Sequence, residues 1–302
     1  MGEKVRIGVV IVNYCSFDDV RDCVASITPS QDVYCYIVDN NSPDNSKKFL
    51  LEKYEDNERI QVICNPKNSG YAVGNNIGIK RAIEDECSFV VISNPDILFY
   101  PDTIEKMIEG FETSSDVGIV GPSIFDTDRN LYEFGQRRKR TGLKELLLLK
   151  YPLNKSNILN SKKSMFLAKC DHSSPKDVFS VSGCCFAMSC DVANKVSFFD
   201  ENTFMFLEET ILGIKLDKAD YRVLYYPKSK VIHNHKKSPG YVNPVLLINK
   251  YRSEMYYCKE YLNCSHIEML PLRAYYAAAF LFSCVVFDDY RKKLVSAIRT
   301  RN

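Results

Sequence analysis

Phe89-Val90-Val91-Ile92-Ser93-Asn94-Pro95-Asp96 runs from four apolar residues into a polar turn that carries a carboxylate. A short apolar run bounded by turn residues reads as a buried strand, and Asn, Pro and Asp are ordinary turn formers. Taken alone, the stretch is a strand end and a bend. Its neighbours give it more weight. Similar runs occupy residues 7–12, 34–38, 60–64 and 117–120. Between them apolar residues recur at helical spacing: Val20, Val24 and Ile27; Phe49, Leu50 and Tyr54; Ile77, Ile79 and Ile83; Ile104, Met107, Ile108 and Phe111. Strand and helix in alternation predict an α/β fold with a mainly parallel, Rossmann-like central sheet flanked by helices.

In such sheets ligands bind beyond the carboxyl ends of the strands. That rule selects Asn13 and Tyr14, then Asp39-Asn40-Asn41-Ser42, then the loop at 65–70, then Asn94-Pro95-Asp96. Four polar ends in succession predict a lined cleft. A strand-end carboxylate such as Asp39 can accept hydrogen bonds from the base or ribose of a nucleotide, although the same residues also favour an Asx turn. The stretch Asn68-Ser69-Gly70-Tyr71-Ala72-Val73-Gly74-Asn75-Asn76 leads into a helix. Gly70 and Gly74 are expected to let backbone approach a ligand, and the helix start to offer free N–H groups to an anion. The stretch has neither the Gly-Lys-Ser/Thr of a P-loop nor G-x-G-x-x-G spacing, and a plain loop-to-helix entry competes with the binding role.

The chain has 302 residues, 45% of them hydrophobic, enough for a sizeable core. Its net charge of +2 argues against nucleic-acid wrapping. Twelve cysteines include no C-x-x-C pair; several, such as Cys35, Cys64, Cys184 and Cys185, lie in apolar runs and read as small buried hydrophobes, and the first residues show no signal-peptide pattern, so free thiols in a cytoplasmic protein are expected. The apolar stretch 274–287 is shorter than the ~20 residues that span a bilayer and reads as a core or interfacial helix. Residues 137–169 hold ten Lys or Arg against one acid, Glu145, and enclose four leucines at 146–149. Such a segment is a solvated loop or a patch meeting anionic lipid. Beyond it, 179–183 and 186–189 read as strand, 207–219 as helix, 221–226 as strand, and the tail from Pro244 as helical, ending in Arg291, Lys292, Lys293, Arg299 and Arg301.

Ile11-Val12-Asn13-Tyr14, Val38-Asp39-Asn40-Asn41-Ser42, Asn68-Ser69-Gly70-Tyr71 with Gly74-Asn75-Asn76, and Asn94-Pro95-Asp96 together resemble the family 2 inverting glycosyltransferases. Within that family they are most similar to the rhamnosyltransferase-like branch of bacterial surface-polysaccharide synthesis (capsule, O-antigen). The resemblance covers roughly the first 235 residues and is specific for the family rather than for a substrate. It implies a GT-A fold, a nucleotide-sugar donor (dTDP-rhamnose or a UDP-sugar) and Mg²⁺ or Mn²⁺. Residues 1–240 would form the transferase domain, with a nucleotide-binding half (1–125) and an acceptor half (126–240). Residues 241–302 would form a helical extension with membrane-surface contact.

The resemblance places Asn13, Tyr14, Asp39, Asn41, Asn68, Gly70, Tyr71, Gly74, Asn75, Asn94 and Arg252 at the donor. Asp96 closes a D-x-D-like motif written here Asn94-Pro95-Asp96, and an oxygen-held cation offsets the charge of a departing nucleoside diphosphate. His233 and His235 are further metal candidates, His233 ahead of His235. Inversion needs a base for the acceptor hydroxyl. Relatives carry Glu-Asp where this chain has Glu208-Glu209, which assigns Glu209 as base beside Glu208. Two acids opening a helix are also simply favourable to its dipole. The acceptor is expected to be a lipid-linked or growing oligosaccharide at the inner face of the cell membrane, handled by a monomer or homodimer. A competing class is a non-catalytic nucleotide-sugar-binding partner, suggested by Thr210-Ile211 where relatives often carry a further acid. A sugar-nucleotide pyrophosphorylase would want a basic Gly-rich loop where Asn13-Tyr14-Cys15-Ser16-Phe17 stands.

Overall fold

The structure, a computed structural model, describes residues 5–27, 32–133, 135–150, 165–167, 171–234, 244–286 and 290. Chain order is β1 (Ile7–Asn13), α1 (Phe17–Ser26), β2 (Val33–Asp39), α2 (Ser46–Tyr54), β3 (Ile60–Cys64), α3 (Gly70–Glu84), β4 (Phe89–Ser93), β5 (Ile97–Phe99), α4 (Thr103–Phe111) and β6 (Val117–Phe125). There follow α5 (Leu143–Leu148), β7 (Lys176–Val178), β8 (Cys185–Ser189), α6 (Cys190–Lys195), α7 (Glu208–Lys218), β9 (Arg222–His233), α8 (Pro244–Glu260) and α9 (Leu270–Val286).

The strands join in one sheet of order β3-β2-β1-β4-β8-β6-β9-β5, with β7 also paired to β9. The first four are parallel, as the alternating pattern predicts. Beyond them the sheet is mixed: β8 runs antiparallel to β4 and β6, while β9 runs parallel to β6. Successive side chains of a strand point to opposite faces, and β1 divides accordingly. Val9 and Ile11 enter a core with Val20, Leu50, Ile104 and Met107 from α1, α2 and α4. Val10 enters the opposite core with Ile79, Phe186 and Leu212 from α3, β8 and α7. Burying each such aliphatic side chain contributes about 1.5–3 kcal/mol, so the two layers fix the register that lines up the strand ends.

A third cluster joins Leu146 of α5 and Ile211 and Ile214 of α7 to Tyr257, Cys258, Leu272 and Tyr276 of α8 and α9. The carboxyl-terminal helices therefore pack onto the helix that carries Glu208 and Glu209. Lys150 Nζ meets the Glu254 carboxylate at 2.9 Å in this layer, with side chains 7% and 4% exposed, and also donates to the Tyr276 hydroxyl at 2.9 Å. None of the described helices is long and apolar enough to cross a membrane. The outer side of α9 exposes Leu270, Leu281, Phe282 and Val285.

Local expectations differ in three places. Only Ser180 of 179–183 makes a strand-like bridge, to Arg137, because the segment turns there to hold the basic stretch rather than extend the sheet. Cys64, expected as a buried apolar cysteine, is exposed at its strand end. Arg137 and Lys150, counted as part of a lipid-facing patch, turn inward instead; Arg138, Lys139 and Arg140 remain exposed.

Candidate active site

The ends of β1, β2 and β3 are tied by side chains. Asp39 is fully buried, and its Oδ1 accepts hydrogen bonds from Asn13 Nδ2 (2.7 Å) and the Ser42 hydroxyl (2.6 Å), while Oδ2 accepts the Ser42 N–H (3.0 Å). Both the turn expected at Asp39 and a link to Asn13 are thus realised in one network. Ser42 Oγ also accepts the Cys15 N–H, and Asn13 Oδ1 the Ser16 N–H, which fixes the bend before α1. Asn40, selected at this strand end but given no role of its own, donates to the Gly70 carbonyl (2.9 Å) and accepts from Asn65 Nδ2 (2.8 Å). Asn41 and Tyr14 are exposed on the rim, Asn41 in the left-handed region at φ 59°.

At Gly70, φ is +89° and an added Cβ would lie 2.3 Å from the Phe204 carbonyl oxygen. Only glycine lets the two loops touch there. At Gly74 the missing Cβ makes room for Val12 (2.9 Å) and the Asn40 amide (3.1 Å), so this glycine packs α3 closely on the sheet. Asn75 is buried and donates to the Tyr71 carbonyl at 3.0 Å. Asn76, also unforeseen as a structural tie, bonds the Phe199 carbonyl and N–H and Glu201, clamping α3 to the loop before α7.

Antiparallel pairing of β5 with β9 sets Ile97 opposite His233, and the Asn234 N–H donates to the Asp96 carbonyl. Asp96 Oδ2 and His233 Nε2 consequently lie 3.1 Å apart, each about one-fifth exposed (22% and 20%). Burial disfavours the imidazolium of His233, but its hydrogen bonds to Asp96 and Cys184 outweigh that and raise its pKa to about 10. A carboxylate oxygen and, once its proton is displaced, an imidazole nitrogen side by side at the rim are donors that suit a divalent cation, provided that substrate oxygens and water complete the shell. Among the described residues no group of three His, Cys, Asp or Glu is arranged to hold a metal ion. His235 lies outside the described residues.

The two acids open α7 after an unusual bend. Phe206 (φ 82°) and Leu207 (φ 73°) are consecutive non-glycine residues in the left-handed region, a conformation that costs energy and clusters at functional sites. The bend presents both Glu208 and Glu209 to a cavity of about 640 Å³, which Tyr71, Asn94, Gly183 and Cys184 also line. Glu208 is 3% exposed, and burial, helped by the charge of Glu209, pushes its pKa up to about 8. Its Oε1 is buried without a hydrogen-bond partner. Glu209 is half-buried; a Cβ added at Gly183 would stand 3.6 Å from both Glu209 Oε2 and the Tyr71 hydroxyl. That hydroxyl donates to the Gly183 carbonyl at 2.5 Å, and burial raises its pKa well above the ordinary value. Tyr71 thereby spans from the start of α3 to the acidic site.

Not all the predicted residues converge. Asn94 joins the cavity of Glu209 directly, and Asp96 and His233 adjoin it through Cys184. Arg252 instead lines a separate cavity of about 840 Å³ with Lys67, Asn68 and Asn202. Arg137 and Lys150 were not placed at the site by sequence reasoning, yet with Lys250 they line the same cavity as the two acids. The basic composition of 137–169 was the available signal, and only the fold turns part of it inward.

The comparisons agree with this geometry. The N-acetylglucosaminyl-diphospho-decaprenol L-rhamnosyltransferase of Mycobacterium tuberculosis is 24% identical over 247 residues, 77% of each chain. The dTDP-rhamnosyl transferase RfbF of Shigella flexneri is 29% identical over 141 residues, 46% of each chain. Among solved structures, GalNAc-T7 with UDP, GalNAc and Mn²⁺ matches at TM-score 0.60 and 16% identity, over 88% of this chain and about half (52%) of that one. The mannosyltransferase PcManGT of Pyrobaculum calidifontis with GDP-Man and Mn²⁺ matches at TM-score 0.56 and 14% identity, over 100% and 77%. These likenesses establish a GT-A-like fold. The profile of "Glycosyl transferase family 2" matches residues 8–197, and the chain belongs to that family: it is a glycosyltransferase.

Proposed function

We propose that the enzyme transfers a sugar, with inversion, from a nucleoside-diphosphate sugar to a hydroxyl of a lipid-linked or growing surface oligosaccharide, with dTDP-rhamnose or a UDP-sugar as donor. One observation carries the reading. The Glu209 carboxylate faces the gap beside Gly183 and the Tyr71 hydroxyl, in the cavity that Asn94 shares and Asp96 and His233 adjoin. Glu209 accepts the proton of the attacking hydroxyl as it displaces the nucleoside diphosphate in line, and one displacement inverts the anomeric centre. Glu208 is largely protonated at neutral pH and does not compete for that proton. Asp39, fixed by Asn13 and Ser42, shapes the nucleotide end, with Tyr14, Asn41 and Asn68 along the rim; Arg252 reaches the donor only from the side of Asn68.

Asp96 and His233 would hold Mg²⁺ or Mn²⁺, whose charge offsets that of the departing diphosphate. The rhamnosyltransferase relatives and the Mn²⁺ in the two structural neighbours support donor class and cation. The exposed apolar residues of α9, together with Arg138, Lys139 and Arg140, support contact with the inner face of the membrane where such acceptors are found.

A transfer assay tests this. dTDP-rhamnose and a panel of UDP- and GDP-sugars are offered with a sugar-diphospho-prenyl acceptor and Mn²⁺ or Mg²⁺. Transfer with an inverted product, abolished by EDTA and by Glu209→Gln, is expected. A retained anomer, or turnover unaffected by Glu209→Gln, overturns the reading. Flotation with anionic liposomes tests the membrane contact, which is expected to weaken in high salt.

A further inference from the structure

The basic side of the cavity that Glu209 lines, made by Arg137, Lys150 and Lys250, has no role in the chemistry just described, and its charge is uneven. Lys150 is neutralised by Glu254 inside the third core. Glu208 is largely uncharged at neutral pH. Two cations remain on this wall, Arg137 and Lys250, and among the described residues neither makes an ion pair with a carboxylate.

Arg137 is also held in advance. Its backbone N–H donates to the Ser180 carbonyl (2.8 Å) and its carbonyl accepts the Phe179 N–H (2.7 Å). The guanidinium lies 4.7 Å over the Phe166 ring, and one of its nitrogens donates to the hydroxyl of buried Thr141 at 3.0 Å. Among the described residues its other side-chain N–H groups make no hydrogen bond, and Arg137 lines the cavity. A planar fork immobilised in this way loses little entropy on binding an oxyanion, and matches phosphate geometry. Lys250, on the exposed side of α8, adds a mobile point charge at the mouth, while Leu146, Leu149 and Tyr275 give the same wall an apolar stretch.

We propose that Arg137 and Lys250 bind a phosphate group of the acceptor, placing the sugar hydroxyl next to it at Glu209. The acceptor is then a phosphate-linked saccharide, whether its phosphate belongs to a lipid diphosphate or to a phosphodiester polymer. This inference rests on the transfer reading above, but it is tested by binding and so stands or falls separately.

The full-length protein, without donor or divalent cation, is titrated with three N-acetylglucosamine probes: a diphosphate carrying a short prenyl chain, a methyl phosphodiester, and the neutral methyl glycoside. At least about tenfold tighter binding of a phosphate-bearing probe than of the neutral one is expected, with the advantage lost in Arg137→Met and reduced in Lys250→Met. Preference confined to the prenyl diphosphate points to a lipid carrier; equal preference for the phosphodiester points to the phosphate alone. Lys250 is exposed, so its variant answers the question even if Arg137→Met does not fold. Equal binding of charged and neutral probes by the wild type overturns the proposal. So does a phosphate preference that survives both variants, or variants that raise the donor KM while leaving the acceptor KM unchanged. Loss of turnover in Glu209→Gln with phosphate binding intact separates the two readings.

Discussion

The strand ends around Asp39 and the acidic cavity around Glu209 meet at Tyr71, yet they are built on opposite terms. Around Asp39 both carboxylate oxygens accept hydrogen bonds, and Asn13, Ser42, Asn40 and Asn65 form a closed set of partners. Around Glu209 the backbone passes through two left-handed residues, and the neighbouring Glu208 has a buried oxygen without a partner. The first region is a satisfied frame; the second holds strain and an unpaired acid, the marks expected of a functional site. Substitutions in the frame should therefore cost stability first, and substitutions in the cavity should cost activity first.

Glu209→Gln gives the largest separation. Removing a general base lowers kcat by about 10²–10⁴-fold, while the fold should be almost unchanged because the side chain is half-buried and isosteric. Parallel kcat and thermal-melt measurements check it; a large fall in melting temperature with modest loss of turnover would erase the contrast. Next comes Lys150→Met, on the cavity wall but part of the third core. Leaving the Glu254 carboxylate buried and unpaired should destabilise by about 3–5 kcal/mol in urea unfolding. The double variant Lys150→Met, Glu254→Leu should recover most of that. Failure of the double variant to recover would mean that the pair does more than neutralise itself.

Glu208 sharpens the comparison through pH. Its pKa rises from the ordinary 4.5 to about 8 on folding, so between those values the folded protein holds a proton that the unfolded chain releases. Stability from this group is full below about 4.5 and is lost as pH rises through about 8. Glu208→Gln carries no such penalty. The variant should therefore gain on the wild type as pH rises across this window, by on the order of a few kcal/mol. Denaturant unfolding at pH 5 to 9 reads the difference, and a constant gap would show that Glu208 ionises normally.

The contrast also explains what the sequence discloses. The parallel half of the sheet was legible because its strands are short apolar runs separated by 3.6-period helices, and its polar ends follow directly from that pattern. Glu208 and Glu209 were singled out only through the family resemblance, since two acids at a helix start have a local explanation as well; that both line one cavity comes from the fold. Arg137 was misread as surface: its position depends on a bridge to Ser180 and on the ring of Phe166, contacts across 43 and 29 residues that no local period encodes. The packing role of Gly74 was not legible either, because a glycine near a helix start has the same sequence appearance whether it admits a phosphate or makes room for a side chain such as Val12.

The smallest effect should come from Ser42→Ala, and it bears on the frame most directly. The hydroxyl donates to Asp39 and accepts from Asn13 and from the Cys15 N–H, so its loss leaves buried groups short of partners. A cost of about 1–3 kcal/mol in stability follows. Asp39 keeps Asn13 and the Ser42 N–H, so the carboxylate stays in place while the bend before α1 loosens. Donor affinity should then weaken by a few-fold, with kcat at saturating donor unchanged, because neither Glu209 nor the Phe206-Leu207 bend depends on this hydroxyl. A fall in kcat at saturation would mean that the frame and the cavity are coupled through Tyr71, whose side chain reaches from the α3 entry to the Gly183 carbonyl. Tyr71→Phe in the Ser42→Ala background would then show whether the two effects add, as independent sites require.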